Sequence, residues 1–229
     1  MGKKERITEA LCAMLKETDG LGTWIEDAKR VGSGDYEHWG PKDLLAHAAE
    51  WAERRVGLLR TPKEVEPEEA DESAGDINRV LFERHKDTLW DDLIGMLGNG
   101  LNALIREVAR RDEAELVAED PYAQGNTVWR GIAFYGIVHS LTHIGQALVR
   151  SGQPAAAVRL QRAMTPLLLA IDDDGAWRGR IEFNLGRVLL LAGDRDGAIE
   201  QVQLAVADNP LAEKWVANDP DFESIRGEV

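Results

Sequence analysis

Apolar residues recur at intervals of three and four along most of the chain, the spacing that lines them up on one side of an α-helix. Ile7, Leu11, Met14 and Leu15 begin such a stripe in a first helix over residues 4–30, with a break expected at Gly20 and Gly22. Gly32, Ser33 and Gly34 mark a loop. Pro41 suits the first turn of a second helix that runs to Leu59 and carries Leu44, Leu45, Ala48, Trp51 and Val56, with Asp43 near the positive end of its dipole. Residues 61–75 are acidic and Pro-containing and read as a solvated loop. A long third helix is expected from Asp76 to Arg111, its stripe including Val80, Leu81, Leu89, Leu93, Leu97, Leu101, Leu104 and Val108. Within it Gly95, Gly98 and Gly100 either bend the helix or admit a close neighbour. A fourth helix starts after Asn126 or Thr127 as N-cap and ends near Arg150.

Strand-type alternation is scarce and Ala, Leu, Glu and Arg dominate, so the fold class is all-α. Four helices with one apolar face each predict a four-helix bundle over residues 1–150. Residues 151–229 follow another pattern. In the stretch 179–212, Leu185 and Gly186 pair a large with a small residue, Ala198 and Ala205 are small, Gly193 and Asp194 mark a turn, and Pro210 ends the run. These spacings resemble a tetratricopeptide repeat, and WVANDPDFESIR is similar to the segment that closes such repeats. An earlier echo exists: Ala147–Val158 aligns with Val188–Ile199 at an offset of 41, Gly152 matching Gly193 and Ala157 matching Ala198. The end of the fourth helix is therefore expected to double as the first helix of a degenerate repeat, with no flexible linker at 150–156.

The chain has 229 residues, 44% hydrophobic and 30% charged, enough for a sizeable core. Its net charge of -14 argues against nucleic acid as a partner, because that affinity comes largely from neutralising phosphates. An anionic membrane surface is disfavoured for the same reason. The single cysteine, Cys12, rules out an internal disulfide and, in the apolar run ALCAML, reads as a small core residue. The N-terminus shows no apolar signal region, and no run approaches about 18 apolar residues; the expected location is cytoplasmic.

Candidate chemistry lies in FYGIVHSLTHIGQAL, where His139 and His143 stand one turn apart on one helix face. Two imidazoles so placed can reach one metal ion, and His47 on the second helix would complete a face and leave the opposite side open to water or substrate. The same spacing also arises among ordinary core or surface histidines. HExxH is absent, since Ser140 follows His139. Tyr135, one turn before His139, is either a proton donor or buried packing; Gln146 is either a hydrogen-bond partner of the site or an ordinary polar residue. Glu50 is a fourth ligand, a base or a solvated side chain, and Trp39 and Trp51 line a pocket or fill the core. His38 and His85, in polar surroundings, read as surface residues.

HWGPKDLLAHAAEW around His47 and HSLTHIGQAL at His139 and His143, separated by a long helix, resemble the DinB-like superfamily of metalloenzymes. INRVLFERHKDTLWDDLIGML and the GNT before the fourth helix are most similar to its ClbS/DfsB branch. The resemblance covers about residues 4–150. It implies a four-helix bundle, often dimeric, with a Ni- or Zn-type divalent ion on three histidines, at positions that His47, His139 and His143 occupy here. It further implies a small-molecule substrate, an electrophile attacked by a metal-activated low-molecular-weight thiol or water in transferase- or hydrolase-like chemistry. The ClbS/DfsB branch often carries a histidine pattern of its own in this helix, a departure from the three positions above. The other class of function is a non-catalytic helical protein that uses the repeat for self-association, as a homodimer, or for docking a partner.

Overall fold

A computed structural model describes residues 2–60, 74–122 and 125–229. Among these residues the protein is all-helical and has no strand. The acidic segment read as a loop lies outside the described residues, except that Ala74 and Gly75 already belong to a helix.

The first helix, α1 (Lys3–Trp24), runs through Gly20 and Gly22 without the expected break and stops earlier than predicted, followed by a short 3-10 turn at Asp27–Lys29. Its buried side is Ile7, Ala10, Leu11 and Met14. Cys12 projects from the other side and is exposed, which corrects its reading as a core residue. Helix α2 (Pro41–Arg60) begins at the predicted proline. The expected third helix is two helices, α3 (Ala74–His85) and α4 (Trp90–Arg110). Thr88 N–H donates to His85 O and closes a turn between them, Leu89 is extended, and Asp91 and Asp92 stand in the first turn of α4, where the dipole favours them. The interruption rotates the stripe, and Val80 and Leu89 are exposed. Of the three glycines of α4, Gly100 admits a close neighbour, since its Cβ would stand 3.2 Å from that of Ala52 on α2, whereas Gly95 faces open space.

After the short α5 (Glu113–Val117), a single helical run from Val128 to Arg150 changes its winding midway. It consists of α6 (Val128–Ala133), a π-helical turn at Phe134–Val138, and α7 (His139–Arg150). Helix α4 packs on α1 and α2, and α7 packs on α2. Helix α8 (Pro154–Leu169) lies against α7 and α1, and α9 (Gly175–Leu191) against α8 and α7. One apolar cluster therefore continues across residue 150, from Leu45, Leu101 and Leu148 to Leu160, Met164 and Ile181.

Helix α9 is buried on two sides, as suits a helix enclosed by neighbours. Ile181 and Val188 join the large cluster, while Phe183, Leu185 and Leu189 join a second one. That second cluster is completed by α10 (Arg195–Asp208), α11 (Ala212–Asn218) and a 3-10 turn at Pro220–Ile225. The 41-residue echo has a structural counterpart. Ser151, Gly152 and Gln153 N–H donate to Ala147, Val149 and Leu148 carbonyls; Ala192, Gly193 and Asp194 N–H donate to Val188, Leu190 and Leu189. Each partner is displaced by the same offset, and both glycines adopt positive φ, 78° and 90°. Within 150–156 only residues 151–153 lie outside helix, as a tight turn between α7 and α8 with no extended linker.

Candidate metal centre

His47, Trp51 and Arg55 fall on one face of α2, because residues four apart in a helix stack along its side. Tyr135, His139 and His143 fall on the facing side of the Val128–Arg150 run. The structure brings His47, His139 and His143 together: one ligand-type nitrogen from each lies within 4.8 Å of the others. His47 Nε2 faces His139 Nε2 at 3.1 Å, and the ring centroids are 4.5–4.8 Å apart. His47 is 7% exposed, whereas His139 and His143 retain partly open edges.

Burial dominates the electrostatics of the cluster. It pushes the His47 imidazole down to about 2, with His143 adding repulsion, and lowers His139 well below the ordinary histidine value. His143 is lowered to about 4, again chiefly by burial, with the Gln146 hydrogen bond opposing and Arg187 and Arg150 contributing. All three imidazoles are therefore neutral at pH 7, the form that ligates metals. The Nδ1 atoms of His47 and His139 are buried with no protein partner. Such atoms are rare in native interiors, and here they belong to the ring edges other than the Nε2 edges that face each other.

His143 is oriented from outside the cluster. Its Nδ1 donates to Gln146 Oε1 at 3.0 Å, leaving the Nε2 lone pair free. The Gln146 amide in turn reaches Asp221 Oδ2 at 3.4 Å, on the C-terminal 3-10 turn. Arg187 of α9 stands 3.7 Å from the same carboxylate. Gln146 is thus hydrogen-bonded to the cluster, whereas the sequence alone favours an ordinary polar helix residue at this position.

The aromatic residues flank the cluster. Trp39 lies 4.7 Å from the His47 ring, on a loop held by the buried Asp43 carboxylate, which accepts from the backbone of Ser33 and Gly40 at 2.7 and 2.8 Å. Arg150 also donates to the Trp39 carbonyl. Trp51 stacks on Tyr135 with ring planes 9° apart. Tyr135 is half-buried, 6.0 Å from the His139 ring, and burial raises its phenol above the ordinary value.

Two readings are corrected. Glu50 is not solvated, and its carboxylate is engaged away from the imidazoles, by Arg84 at 2.5 Å and His85 at 2.8 Å. His85 is accordingly buried, not on the surface, because the Glu50 partner makes an interior position tolerable. His38 is exposed and hydrogen-bonded to Asp35.

A buried ion pair beneath the site escaped the sequence reading. Arg55 Nη2 meets Asp120 Oδ2 at 2.6 Å, with side chains 2% and 1% exposed. Its signal was present: Arg55 continues the face of His47 and Trp51, and Gly131, four residues before Tyr135, leaves space for it. A Cβ at Gly131 would stand 2.5 Å from both partners.

No family model matches the chain, and no curated protein or solved structure shows a significant similarity to it.

Proposed function

We propose that His47, His139 and His143 hold a divalent metal ion of the nickel or zinc type, and that the protein is a metal-dependent enzyme acting on a small electrophile. The observation that carries this reading is the meeting of three neutral imidazoles from two helices, with one ligand-type nitrogen from each within 4.8 Å of the others. Nitrogen ligands at about 2.0–2.1 Å from a tetrahedral ion lie about 3.3 Å apart; the facing His47 and His139 nitrogens are at 3.1 Å.

A divalent ion there supplies Lewis acidity, making a thiol or water nucleophilic near neutral pH. The residues around it have separable tasks. Gln146 fixes the tautomer of His143, Trp39 and Trp51 would exclude water from two sides, and the phenol of Tyr135 would donate a proton to a leaving group. The DinB-like reading, with a four-helix bundle followed by a tetratricopeptide-like module, accords with the helix order and with the matched turns at Gly152 and Gly193.

The test is metal analysis of protein purified without a histidine tag and reconstituted with Ni or Zn. One equivalent of metal per chain is expected, lost in His143→Ala and His47→Ala with helical content unchanged. Wild-type protein that retains no metal after reconstitution overturns the proposal.

A further inference from the structure

A cavity of about 460 Å³ opens between the Val128–Arg150 helical run and the C-terminal helices α9 and α11. Its size lies in the range of small-molecule sites. Phe134, Tyr135, Trp177 and Trp215 supply aromatic wall. Two of these, Phe134 and Tyr135, are also ring neighbours of His139, each with centroids 6.0 Å away. The cavity therefore shares a wall with the histidine cluster.

Its charge is one-sided. Among the described residues, its charged lining is Arg130 and Arg180, with no carboxylate. Arg130 is neutralised by Asp174 at 2.7 Å. Arg180 is not: among the described residues no carboxylate lies within ion-pair distance of it, in a chain with 41 acidic residues against 27 lysines and arginines. Its guanidinium stacks on Trp215, 3.6 Å from the ring centroid. Stacking covers one face and leaves the in-plane N–H groups available for a bidentate contact, the geometry that a carboxylate matches. Burial and the nearby Arg187 lower its pKa to about 10, so it remains charged at neutral pH without a counter-ion from the protein. Asn126 and Asn209 also line the cavity, and each spends its side-chain oxygen on a local backbone N–H, leaving the amide donors.

We propose that this cavity binds a small organic monoanion with a planar apolar body, its carboxylate held by Arg180 and its body among Phe134, Trp177 and Trp215. That this ligand is also the substrate rests on the metal reading above; the anion site itself does not.

The experiment is calorimetric titration of the full chain, after removal of metal by chelator, with naphthalene-2-carboxylate and with the neutral naphthalene-2-carboxamide. The carboxylate is expected to bind more tightly by on the order of tenfold, the range of one charge-assisted hydrogen bond. Arg180→Gln should bring it to the level of the amide, and Arg180→Lys should keep part of the preference; thermal unfolding of both variants checks that the fold persists. Failure of the carboxylate to bind wild type, or a preference that survives Arg180→Gln, overturns the proposal. Because the titration uses metal-free protein, its outcome is separate from that of the metal analysis.

Discussion

Gln146 Oε1 accepts a hydrogen bond from His143 Nδ1 at 3.0 Å, and the same carboxamide reaches Asp221 across the boundary between α7 and the C-terminal turn. Removing this partner frees the imidazole to rotate and to change tautomer. Gln146→Leu is expected to weaken metal binding by about 10–100-fold, read by chelator competition, with helical content unchanged. Gln146→Glu, which keeps the acceptor, should retain most of the affinity.

The Arg55–Asp120 pair should respond asymmetrically. Arg55→Met leaves the Asp120 carboxylate buried and alone, at a cost of about 3–5 kcal/mol. Adding Asp120→Leu to Arg55→Met should recover most of that loss, since the uncompensated charge is gone. Urea denaturation of the two single variants and the double variant measures the coupling.

Glu182 gives a stability signature in pH. Burial, with Asp208 adding repulsion, raises its carboxyl from the ordinary 4.5 to about 7, against the pull of Arg178. The folded state then binds a proton more tightly than the unfolded chain. The stability this contributes is complete below about pH 4.5 and is lost as pH rises toward 7. Glu182→Gln should raise the thermal midpoint at pH 8 by about 2–4 °C, the equivalent of roughly 1 kcal/mol, and leave the midpoint at pH 5 nearly unchanged.

The turns at Gly152 and Gly193 should be energetically alike. Both hold positive φ with open space around the missing Cβ. Ala at either position costs about 1–2 kcal/mol through the backbone alone. Guanidinium unfolding of Gly152→Ala and Gly193→Ala should show similar losses; a twofold or greater difference would contradict the equivalence of the two turns.

What the sequence reveals here depends on how local the determining interaction is. The facing of His139 and His143 follows from one helical turn, and Pro41 starts α2 where its fixed φ suits a first turn. The interruption between α3 and α4 is harder, because Val80 and Leu89 keep apolar spacing while the backbone turns at Thr88. Cys12 sits among apolar neighbours and yet points outward, one step around the helix from Leu11. His85 becomes an interior residue only because Glu50, 35 positions earlier, meets it. The wall of the cavity is similarly non-local: Arg180 and Trp215 belong to helices whose apposition no periodicity announces.

The π-helical turn at Phe134–Val138 has a consequence for how this helix can change. It carries i to i+5 bonding, His139 N–H donating to Phe134 O, and so behaves as an α-helix with one extra residue accommodated. Upstream of it Gly131 makes room for the Arg55–Asp120 pair; downstream, His139 and His143 face His47. Winding FYGIV as regular α-helix with all its residues kept would swing one half relative to the other by about 100°, a single α-helical step. Either the glycine would leave the ion pair or the imidazoles would leave their cluster. The extra residue is a phase shifter that lets one rod satisfy two incompatible alignments.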